Sequence, residues 1–376
     1  MGIHERTCFT RIIILECGSI GDIMYKLDYV WLDGYDEKNM RMKTRYFNGY
    51  ELDIKDLPVW GFDGSSTMQA EGDNSDCVLE PVKLYRDTSD PMGMAHIVFC
   101  EVMNPDGTPH KSNTRAKLRE IIEKCGGLDL VSKDMMFGIE QEYVIFDKET
   151  GRPSGWPSNG FPPPQGRYYC GVGGNVVEHR ELVDAHADNC NRSGIPVQGT
   201  NAEVMLSQWE YQVGPATALD VCDHLWIARY MLERLAENQG LYIKLDPKPI
   251  AGDWNGSGAH INFSSTFMRE EATMDDINRI CIELGKYKEE MLSYYGMGNE
   301  HRLTGDHETA HIDDYTWGVS DRSASIRIPM STANKGHGHL EDRRPAANID
   351  PYEAVGVITK YLNIIEKEVA QPLLFV

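Results

Sequence analysis

The chain lacks several features that assign proteins to common classes. It has no apolar run long enough to cross a bilayer, and its N-terminal stretch offers only the apolar residues Ile12 to Leu15. We therefore expect neither a membrane partner nor a secretory signal. Its nine cysteines form no CxxC pair, and an odd number cannot close completely into intrachain bridges. Scattered reduced thiols are typical of a cytosolic protein, so we predict a cytoplasmic location.

Positive charge is also scarce. The sequence has 37 Lys and Arg against 58 Asp and Glu, which gives a formal net charge of −21. Because such a chain repels a phosphate backbone, we expect no nucleic-acid partner. Many of these acids can be solvated surface, so the useful question is whether some of them converge on one site.

Periodicity along the 376 residues predicts two domains. Tyr25, Leu27, Tyr29 and Trp31 alternate as one face of a strand, and residues 96–103 form a second strand-like run. Ser112 is a candidate N-cap for a helix that stops at Gly126 and Gly127. Further helical patterns cover residues 178–194, 216–240, 273–294 and 351–370.

These patterns indicate an α+β fold. We predict an N-terminal extension over residues 1–22, a small sheet-rich domain over residues 23–110, and a larger catalytic domain over residues 111–376.

The segment GIEQEYVIF carries two acids at strand spacing. Glu140 and Glu142 are two residues apart, so both side chains leave the same face of a strand. Like charges this close are costly unless cations neutralise them or one carboxyl stays protonated. An exposed acidic strand face is the alternative interpretation.

The segment NAEVMLSQWEYQVGP carries two more acids. Glu203 and Glu210 are seven residues apart, so one straight strand would point them to opposite faces. Both can face one site only if the chain turns or bulges near residues 206–208. Their apolar neighbours predict that both carboxylates are partly buried.

Two further segments add candidate ligands. In DWNGSGAHINFS the residues Asn255 to Gly258 let the backbone approach a bound group, and His260 follows on a strand. In HLEDRRP, Glu341 stands beside Arg343. The alternatives are a structural histidine and a surface salt bridge.

Three arginines stand among small or apolar residues. Arg302, Arg322 and Arg327 are therefore expected to be embedded, and embedded arginines need anionic partners from the protein or from a ligand. Arg322 and Arg327 are five residues apart, so both can reach one site only if Arg322 precedes the strand.

Taken together, these segments supply five glutamates and one histidine, an oxygen-rich set that favours Mg²⁺ or Mn²⁺ over zinc. Divalent ions with arginines are what phosphoryl transfer requires. The residues alone therefore predict a divalent-metal site for phosphoryl transfer.

Seven blocks of the sequence resemble type II, eukaryotic-type glutamine synthetase. The resemblance runs from about residue 25 to near the C-terminus. The blocks are WGFDGSST, GIEQEY, NAEVMLSQWEYQVGP, NGSGAHINFS, RLTGDHET, DRSASIRIP and LEDRRPAAN.

This resemblance implies a fold, an activity and an assembly. The fold would be an N-terminal β-grasp domain followed by a catalytic domain with a curved antiparallel sheet. The activity would be ATP-dependent ligation of ammonia to L-glutamate through γ-glutamyl phosphate, with two or three Mg²⁺ or Mn²⁺ ions per site. The homo-oligomer would be a decamer of two pentameric rings, with active sites between subunits.

The resemblance also implies roles for individual residues. One metal would bind Glu142, Glu203 and Glu210, and another would bind Glu140, His260 and Glu341. Glutamate would bind Asn255, Gly256, Arg302 and Arg343. ATP would lie near Glu210, Pro215, Asn262, Ser264, Arg322, Arg327 and His339.

Catalysis and ammonium binding would involve a further set. Glu308 resembles the family's flap acid that closes the site, and Arg343 would act during transfer. Asp63, from a neighbouring subunit, would bind ammonium and take its proton, and Ser66, Tyr169 and Glu203 would complete that pocket.

Some positions depart from the family, and other functions remain open. Many members have Tyr where this chain has His339, and residues 317–322 also differ. A ligase for a larger amine is one alternative, although Asp63 and Tyr169 favour ammonia. A non-catalytic relative and a metal-dependent hydrolase are the others, but the first would lose metal ligands and the second would leave the arginines without a role.

Overall fold

A computed structural model describes residues 23–49 and 51–369, so the predicted extension over residues 1–22 lies outside it. The first sheet has the strands β1 (Ile23–Leu32), β2 (Met40–Gly49), β3 (Trp60–Asp63), β4 (Asp76–Arg86) and β5 (Ala95–Met103). Their spatial order is β2-β1-β5-β4-β3, in which β1 and β5 are parallel and the other neighbours antiparallel.

Strand β1 is buried on both faces. Tyr25, Leu27, Tyr29 and Trp31 pack into one apolar cluster, as their alternation predicts. Val30, on the other face, joins the larger core that continues into the rest of the chain. The first sheet is therefore packed directly against the helices that follow it.

The second sheet carries the candidate acids. Its strands are β6 (Met136–Asp147), β7 (Arg152–Pro153), β8 (Val197–Ala202), β9 (Gln208–Ala216), β10 (Leu241–Lys244), β11 (Ala259–Ser264), β12 (Trp317–Val319), β13 (Ile326–Ile328) and β14 (Leu340–Asp342). The main order is β12-β13-β14-β11-β6-β9-β8, and β7 and β10 pair with the end of β6. All neighbours are antiparallel except β12 and β13, so the predicted α+β class with a large antiparallel sheet is confirmed.

Helices cover the sheets and fill the larger core. They are α1 (Thr114–Lys124), α2 (Leu128–Asp134), α3 (Arg180–Arg192), α4 (Ala218–Glu237), α5 (Thr266–Glu270), α6 (Met274–Gly285), α7 (Lys288–Leu292), α8 (Met330–Lys335) and α9 (Pro351–Val369). The single helix predicted over residues 273–294 is wrong, because the chain breaks between Gly285 and Lys288, where the ring of Tyr315 packs against Gly285. Within the described residues, no helix has the length and apolar character to cross a membrane.

The N-cap of α1 is Asn113, and the prediction of Ser112 is wrong by one residue. The Asn113 side chain accepts a hydrogen bond from the Ala116 amide at 2.9 Å, which satisfies a free donor of the first turn. The Ser112 hydroxyl instead accepts from the Gln69 side chain at 2.9 Å, which ties the helix start to the first sheet.

A buried ionic cluster joins the first sheet to the helices. Arg115 on α1 contacts Glu101 of β5 at 2.6 Å and Asp223 of α4 at 2.9 Å. The Tyr352 hydroxyl of α9 donates to Asp223 at 2.5 Å. The proposed domain boundary at residue 110 lies in the connection between β5 and α1, close to this cluster, and it remains a prediction.

Candidate active site

A cavity of about 760 Å³ opens on the second sheet, and its lining is mostly polar. The lining residues come from β6, β8, β9, β11, β13, β14 and the loops between them. They are Glu140, Glu142, Gln165, Gly166, Tyr169, Asn201, Glu203, Val204, Glu210, Gln212, Asn255, Gly256, His260, Arg302, His307, Glu308, Thr309, Arg322, Arg327, Glu341 and Arg343.

Strand β6 presents two carboxylates to this cavity from one face. Glu140 and Glu142 line it, while the alternating residues Ile139, Gln141 and Tyr143 are fully buried on the other face. The alternation of a strand therefore separates an acidic face from a packed one. The alternative of an exposed acidic face does not hold for Glu142, which is 7% exposed.

Neighbouring strands bring further ligands opposite these acids. His260 of β11 pairs with Glu140, and Glu210 of β9 pairs with Glu142. Glu341 of β14 lies opposite Asn262 of β11. Directly opposed residues in a sheet are close neighbours, so two glutamates face each other across β6 and β9.

Glu203 reaches the same place by a turn. It follows β8, and residues 203–207 reverse the chain into β9, with Ser207 in the left-handed region at φ 71°. The Glu203 amide donates to the Gln208 carbonyl at 2.9 Å, which closes the turn. This is the turn near residues 206–208 that the odd spacing of the two acids requires.

The six candidate ligands fall into two groups of three. Glu140, His260 and Glu341 offer ligand atoms that all lie within 4.8 Å of one another. Glu142, Glu203 and Glu210 do the same. These are the two triplets that the family resemblance implies, and oxygen-rich groups of this size suit Mg²⁺ or Mn²⁺.

In the group formed by Glu142, Glu203 and Glu210, burial disfavours the ionised carboxylates unless a cation is bound. Burial and the neighbouring carboxylates of Glu142 and Glu210 raise the pKa of Glu203 to about 9. Burial, followed by the charges of Glu140 and Glu142, raises the pKa of Glu210 to about 8. A divalent cation would relieve this repulsion and allow all three carboxylates to ionise.

The ring of His260 lies between Arg302 and two of the candidate carboxylates. Its Nε2 accepts a hydrogen bond from Arg302 at 2.9 Å, which leaves Nδ1 toward Glu140 and Glu341 at 3.6 Å. This buried Nδ1 has no hydrogen-bond partner among the described residues. Because a guanidinium can only donate, this contact places the proton of the neutral ring on Nδ1, so a metal ion could bind Nδ1 only if that proton left and the contact with Arg302 changed.

Gly258 allows the basic and acidic parts of the cavity to meet. A Cβ atom at this position would lie 2.5 Å from Nη2 of Arg302 and 2.7 Å from Nε2 of His260. The Gly258 amide donates to Glu142 at 2.9 Å. Only glycine therefore permits this approach.

Arg302 and Arg343 line the cavity as buried cations. Arg302 is 6% exposed and donates to backbone carbonyls of residues 343 and 344 as well as to His260. Arg343 donates to Glu341 at 2.6 Å. Both side chains are thus held by fixed acceptors, and the surface salt bridge considered for Glu341 is in fact buried.

Arg322 and Arg327 reach the cavity from either side of the start of β13. Arg322 precedes the strand, as the spacing of five residues requires, and Arg327 lies on it opposite Glu341. Arg327 donates to Glu341 at 2.5 Å. The expectation that Arg322 is embedded is wrong, because the loop before β13 leaves this residue exposed.

Glu308 and Tyr169 also line the cavity, and both lie on loops. Both Glu308 and its neighbour His307 have left-handed backbones, with φ 60° and 52°. Tyr169 is 46% exposed and interacts with Arg322.

Asp63 ends β3 of the first sheet and Ser66 lies in the 3-10 turn that follows, and neither is among the described residues that line the cavity. Asp63 is exposed at the end of β3, and its carboxylate accepts from the Ser66 hydroxyl at 2.8 Å and from the Ser65 amide at 3.0 Å. Hydrogen bonds from Ser65 and Ser66 lower the pKa of Asp63. The Asp63 carboxylate is thus exposed and favoured in its ionised form.

Four residues predicted near ATP lie beside the cavity and do not line it within the described part of the chain. Pro215 is exposed at the end of β9, and Asn262 and Ser264 pair with the start of β6. Asn262 donates to Glu140 at 2.7 Å, while the Ser264 hydroxyl accepts from Arg269 at 3.0 Å. His339 is half-buried just before β14.

Sequence reasoning missed several lining residues. Asn201 and Gln212 donate to Glu203 and Glu210 at 2.8 and 2.9 Å, and each stands two residues along a chain from its glutamate. Strand alternation was a sufficient signal for both. Gln165, Gly166, Val204, His307 and Thr309 lie on loops, where no periodicity indicates which way a side chain points.

Known proteins resemble this chain over most of its length. Residues 24–105 match the family described as glutamine synthetase, beta-Grasp domain, and residues 111–284 match glutamine synthetase, catalytic domain. A glutamine synthetase of Streptomyces viridochromogenes is 49% identical over 90% of this chain and 95% of its own length.

Two eukaryotic relatives carry compartments in their names. The chloroplastic glutamine synthetase of Chlamydomonas reinhardtii is 47% identical over 89% of both chains. The cytoplasmic glutamine synthetase 2 of Drosophila melanogaster is 46% identical over 90% of both chains.

Proposed function

The chain belongs to the glutamine synthetase family, and we propose that its carboxylate-lined cavity is where glutamate, ammonia and ATP react. The predicted activity, ATP-dependent ligation of ammonia to L-glutamate, is confirmed by its relatives, and these are of the eukaryotic type. The assignment of individual residues to steps of this reaction is our proposal.

The metal sites are the two groups of three ligands. Glu142, Glu203 and Glu210 would hold one ion, and Glu140, His260 and Glu341 the other, and the family resemblance implies two or three ions per site. The family uses divalent metals, and Mg²⁺ or Mn²⁺ suits these ligands. Bound ions would polarise the γ-phosphate of ATP and offset the charge of the five carboxylates.

Glutamate is proposed to bind at the loop after β10 and the two buried arginines. Asn255 and Gly256 line the cavity beside Arg302 and Arg343. A guanidinium holds a carboxylate through paired hydrogen bonds, so these arginines fit an anionic amino acid. The side-chain carboxylate would then lie near the metal groups, ready to attack phosphorus.

ATP is proposed to lie across the start of β6. Arg322 and Arg327 would contact its phosphates, near Glu210. The nucleoside would extend toward Pro215, Asn262, Ser264 and His339, which gather near that end of β6. His339 is a contact in which this chain differs from many relatives.

The chain's own residues would steer two successive transfers. Attack of the glutamate carboxylate on the γ-phosphate of ATP releases ADP and gives γ-glutamyl phosphate. Arg343 and Arg327 would stabilise the charge on the transferred group. Glu308, on a loop that lines the cavity, would close the site and exclude water from this activated acyl group.

Ammonium is proposed to bind where two subunits meet. Tyr169 and Glu203 would line one side of this pocket, and Asp63 with Ser66 of a neighbouring subunit would form the other. Asp63, ionised at neutral pH, would take a proton from ammonium and free its nitrogen to attack the acyl carbon. Phosphate would then leave and glutamine form.

The assembly and location are proposals of the same kind. An exposed Asp63 outside the cavity supports a shared site in a homo-oligomer, and a decamer of two pentameric rings is the arrangement we propose. A cytoplasmic location agrees with the Drosophila melanogaster relative, whereas the algal relative is named chloroplastic.

The observation that carries this proposal is that two groups of three candidate metal ligands and four arginines line one cavity. It is tested by measuring phosphate and glutamine while glutamate, ammonium, ATP and Mg²⁺ or Mn²⁺ are varied separately. We expect turnover to require all four and to yield one phosphate per glutamine. Turnover that ignores ammonium, or that prefers methylamine or a polyamine, would contradict the proposal.

A further inference from the structure

His307 joins three segments that surround the cavity. Its Nε2 lies 3.0 Å from Oδ1 of Asp253, on the loop that carries Asn255 and Gly256. Its Nδ1 lies 3.1 Å from Nε2 of Gln165, on the long loop before α3. His307 itself immediately precedes Glu308.

The hydrogen bonds have a defined direction. The Asn255 amide donates to Oε1 of Gln165 at 2.7 Å, so the Gln165 amide nitrogen must face His307. Because that nitrogen can only donate, Nδ1 of His307 accepts and its ring proton sits on Nε2, from which it donates to Asp253. Each donor therefore has an acceptor, and the three segments form a closed ring.

The backbone at this point needs such support. His307 and Glu308 are consecutive left-handed residues, a conformation that is unfavourable for residues other than glycine. It persists only where surrounding contacts determine it. Thr309 contributes one such contact, donating to the Arg302 carbonyl at 3.2 Å, and the His307 ring contributes the two contacts to other loops.

We propose that His307 is a positioning residue that holds Glu308 over the cavity and so couples ATP use to glutamine formation. This inference rests on the proposed role of Glu308 in closing the site. Without the His307 ring, the left-handed pair has fewer contacts to hold it and Glu308 no longer covers the acyl phosphate.

The consequence is a defined side reaction. Water attacks the acyl carbon of γ-glutamyl phosphate, a new C–O bond forms, and the bond to phosphate breaks. Glutamate and phosphate result, and one proton passes to solvent. The net reaction is ATP hydrolysis without glutamine, so the ratio of ADP to glutamine reports whether the cavity is closed.

The test compares this ratio in the wild-type protein and in His307→Ala, with Mg²⁺, ATP and glutamate present and ammonium varied. We expect glutamine formation to fall roughly 10-fold, because a small displacement of a closing group is costly. ADP should exceed glutamine severalfold, and the KM for ATP should stay within about twofold, since binding groups for phosphate remain.

Three further variants separate positioning from general damage. His307→Asn tolerates the left-handed backbone and keeps an acceptor for Gln165, so it should recover part of the coupling. Asp253→Ala removes a partner whose side chain is 97% exposed, so its effect should have the same direction and be smaller. His311→Ala, on the same segment but outside the cavity lining, should keep wild-type coupling.

The outcomes are distinguishable. If wild type forms one glutamine per ADP and folded His307→Ala keeps the same ratio, the inference about His307 is wrong and the proposed function stands. Equal losses in His307→Ala and His307→Asn without uncoupling would also overturn it. A wild-type protein that forms no glutamine would overturn the proposed function and this inference with it.

Discussion

Within the cavity, carboxylates are buried beside other carboxylates, and Glu210 is one of the residues whose charge this arrangement disfavours. It lies opposite Glu142 and beside Glu203, and its pKa is raised to about 8 mainly by burial. Such a residue lowers the stability of the metal-free folded protein, and it is useful only when cations are bound.

We therefore expect Glu210→Gln to have opposite effects on stability and activity. The metal-free variant should melt at a higher temperature than metal-free wild type, while Mn²⁺ should raise its melting temperature less than that of wild type, because only the other ligand group is intact. Glutamine formation should fall by at least about 100-fold, because a metal ligand is lost. Thermal unfolding with and without Mn²⁺, together with a glutamine assay, measures both effects.

Glu181→Gln is the matched control, since Glu181 is an exposed glutamate on α3. It should leave the response to Mn²⁺ unchanged. A Glu210→Gln protein that is still stabilised by Mn²⁺ to the wild-type extent would contradict the ligand assignment.

His186 gives a prediction about pH. This α3 residue is fully buried, donates to the Ala228 carbonyl at 2.9 Å, and has its pKa lowered by burial to about 4. The unfolded chain binds its proton near pH 6.5, so stability falls as pH drops through this window. The neutral His186 ring therefore contributes about 3 kcal/mol to the free energy of unfolding above pH 6.5, and this contribution is lost as the pH falls toward 4.

The measurement is urea unfolding of wild type and His186→Gln between pH 7 and pH 4. Glutamine retains an amide donor without a titrating ring, so the variant should lose less free energy of unfolding on acidification. Other titrating groups are common to both proteins and cancel in the difference. Parallel pH profiles would show that His186 makes no such contribution.

At the scale of secondary-structure elements, the loop between β10 and β11 sets the distance between Arg302 and the carboxylate of Glu142. Gly258→Ala would place a Cβ atom within 2.7 Å of both Arg302 and His260, so both side chains must move. We expect a loss of activity of roughly 100-fold and a raised KM for glutamate, with the fold retained. Steady-state kinetics and circular dichroism measure these effects.

Gly72→Ala is the control for this substitution, because a Cβ atom at Gly72 meets nothing within 4 Å. Near wild-type kinetics of Gly258→Ala would mean that the loop can yield, and that Arg302 does not depend on this approach.

Sequence patterns predicted the elements better than the contacts between them. Alternation correctly placed Tyr25 to Trp31 in β1 and Glu140 beside Glu142, because strand geometry is local. The contact between Gln165 and His307 joins residues 142 positions apart on loops, and no local pattern encodes it. The exposure of Arg322 was mispredicted for the same reason, since apolar neighbours in sequence need not be neighbours in space.

At the scale of the whole molecule, the ionic cluster around Arg115 fixes the first sheet against the helices of the larger core. Asp63 stands at the far edge of that sheet, exposed and outside the cavity. If Asp63 serves a neighbouring chain as proposed, the position of this sheet determines which surface offers it.

We expect two inactive variants to restore activity when their subunits are mixed. Asp63→Ala lacks the acid for ammonium, and Glu210→Ala lacks a metal ligand. If the site is shared between neighbours in a ring, a random equal mixture has both intact parts at about one quarter of its interfaces. Mixing after reversible dissociation, followed by a glutamine assay, measures this recovery.

Each variant mixed with itself is the control, and sizing of the mixture shows whether oligomers reform. Reformed oligomers without recovered activity would place Asp63 in the site of its own chain, or in no site.

Strand β6 has one further consequence, for insertions and deletions. Glu140 and Glu142 face the cavity, while Gln141 between them accepts from the fully enclosed Arg229 at 2.7 and 2.9 Å behind the sheet. A single residue gained or lost before Glu140 would turn both acids toward Arg229 and the amide toward the substrates. Evolution can therefore change this strand only by replacing residues one for one.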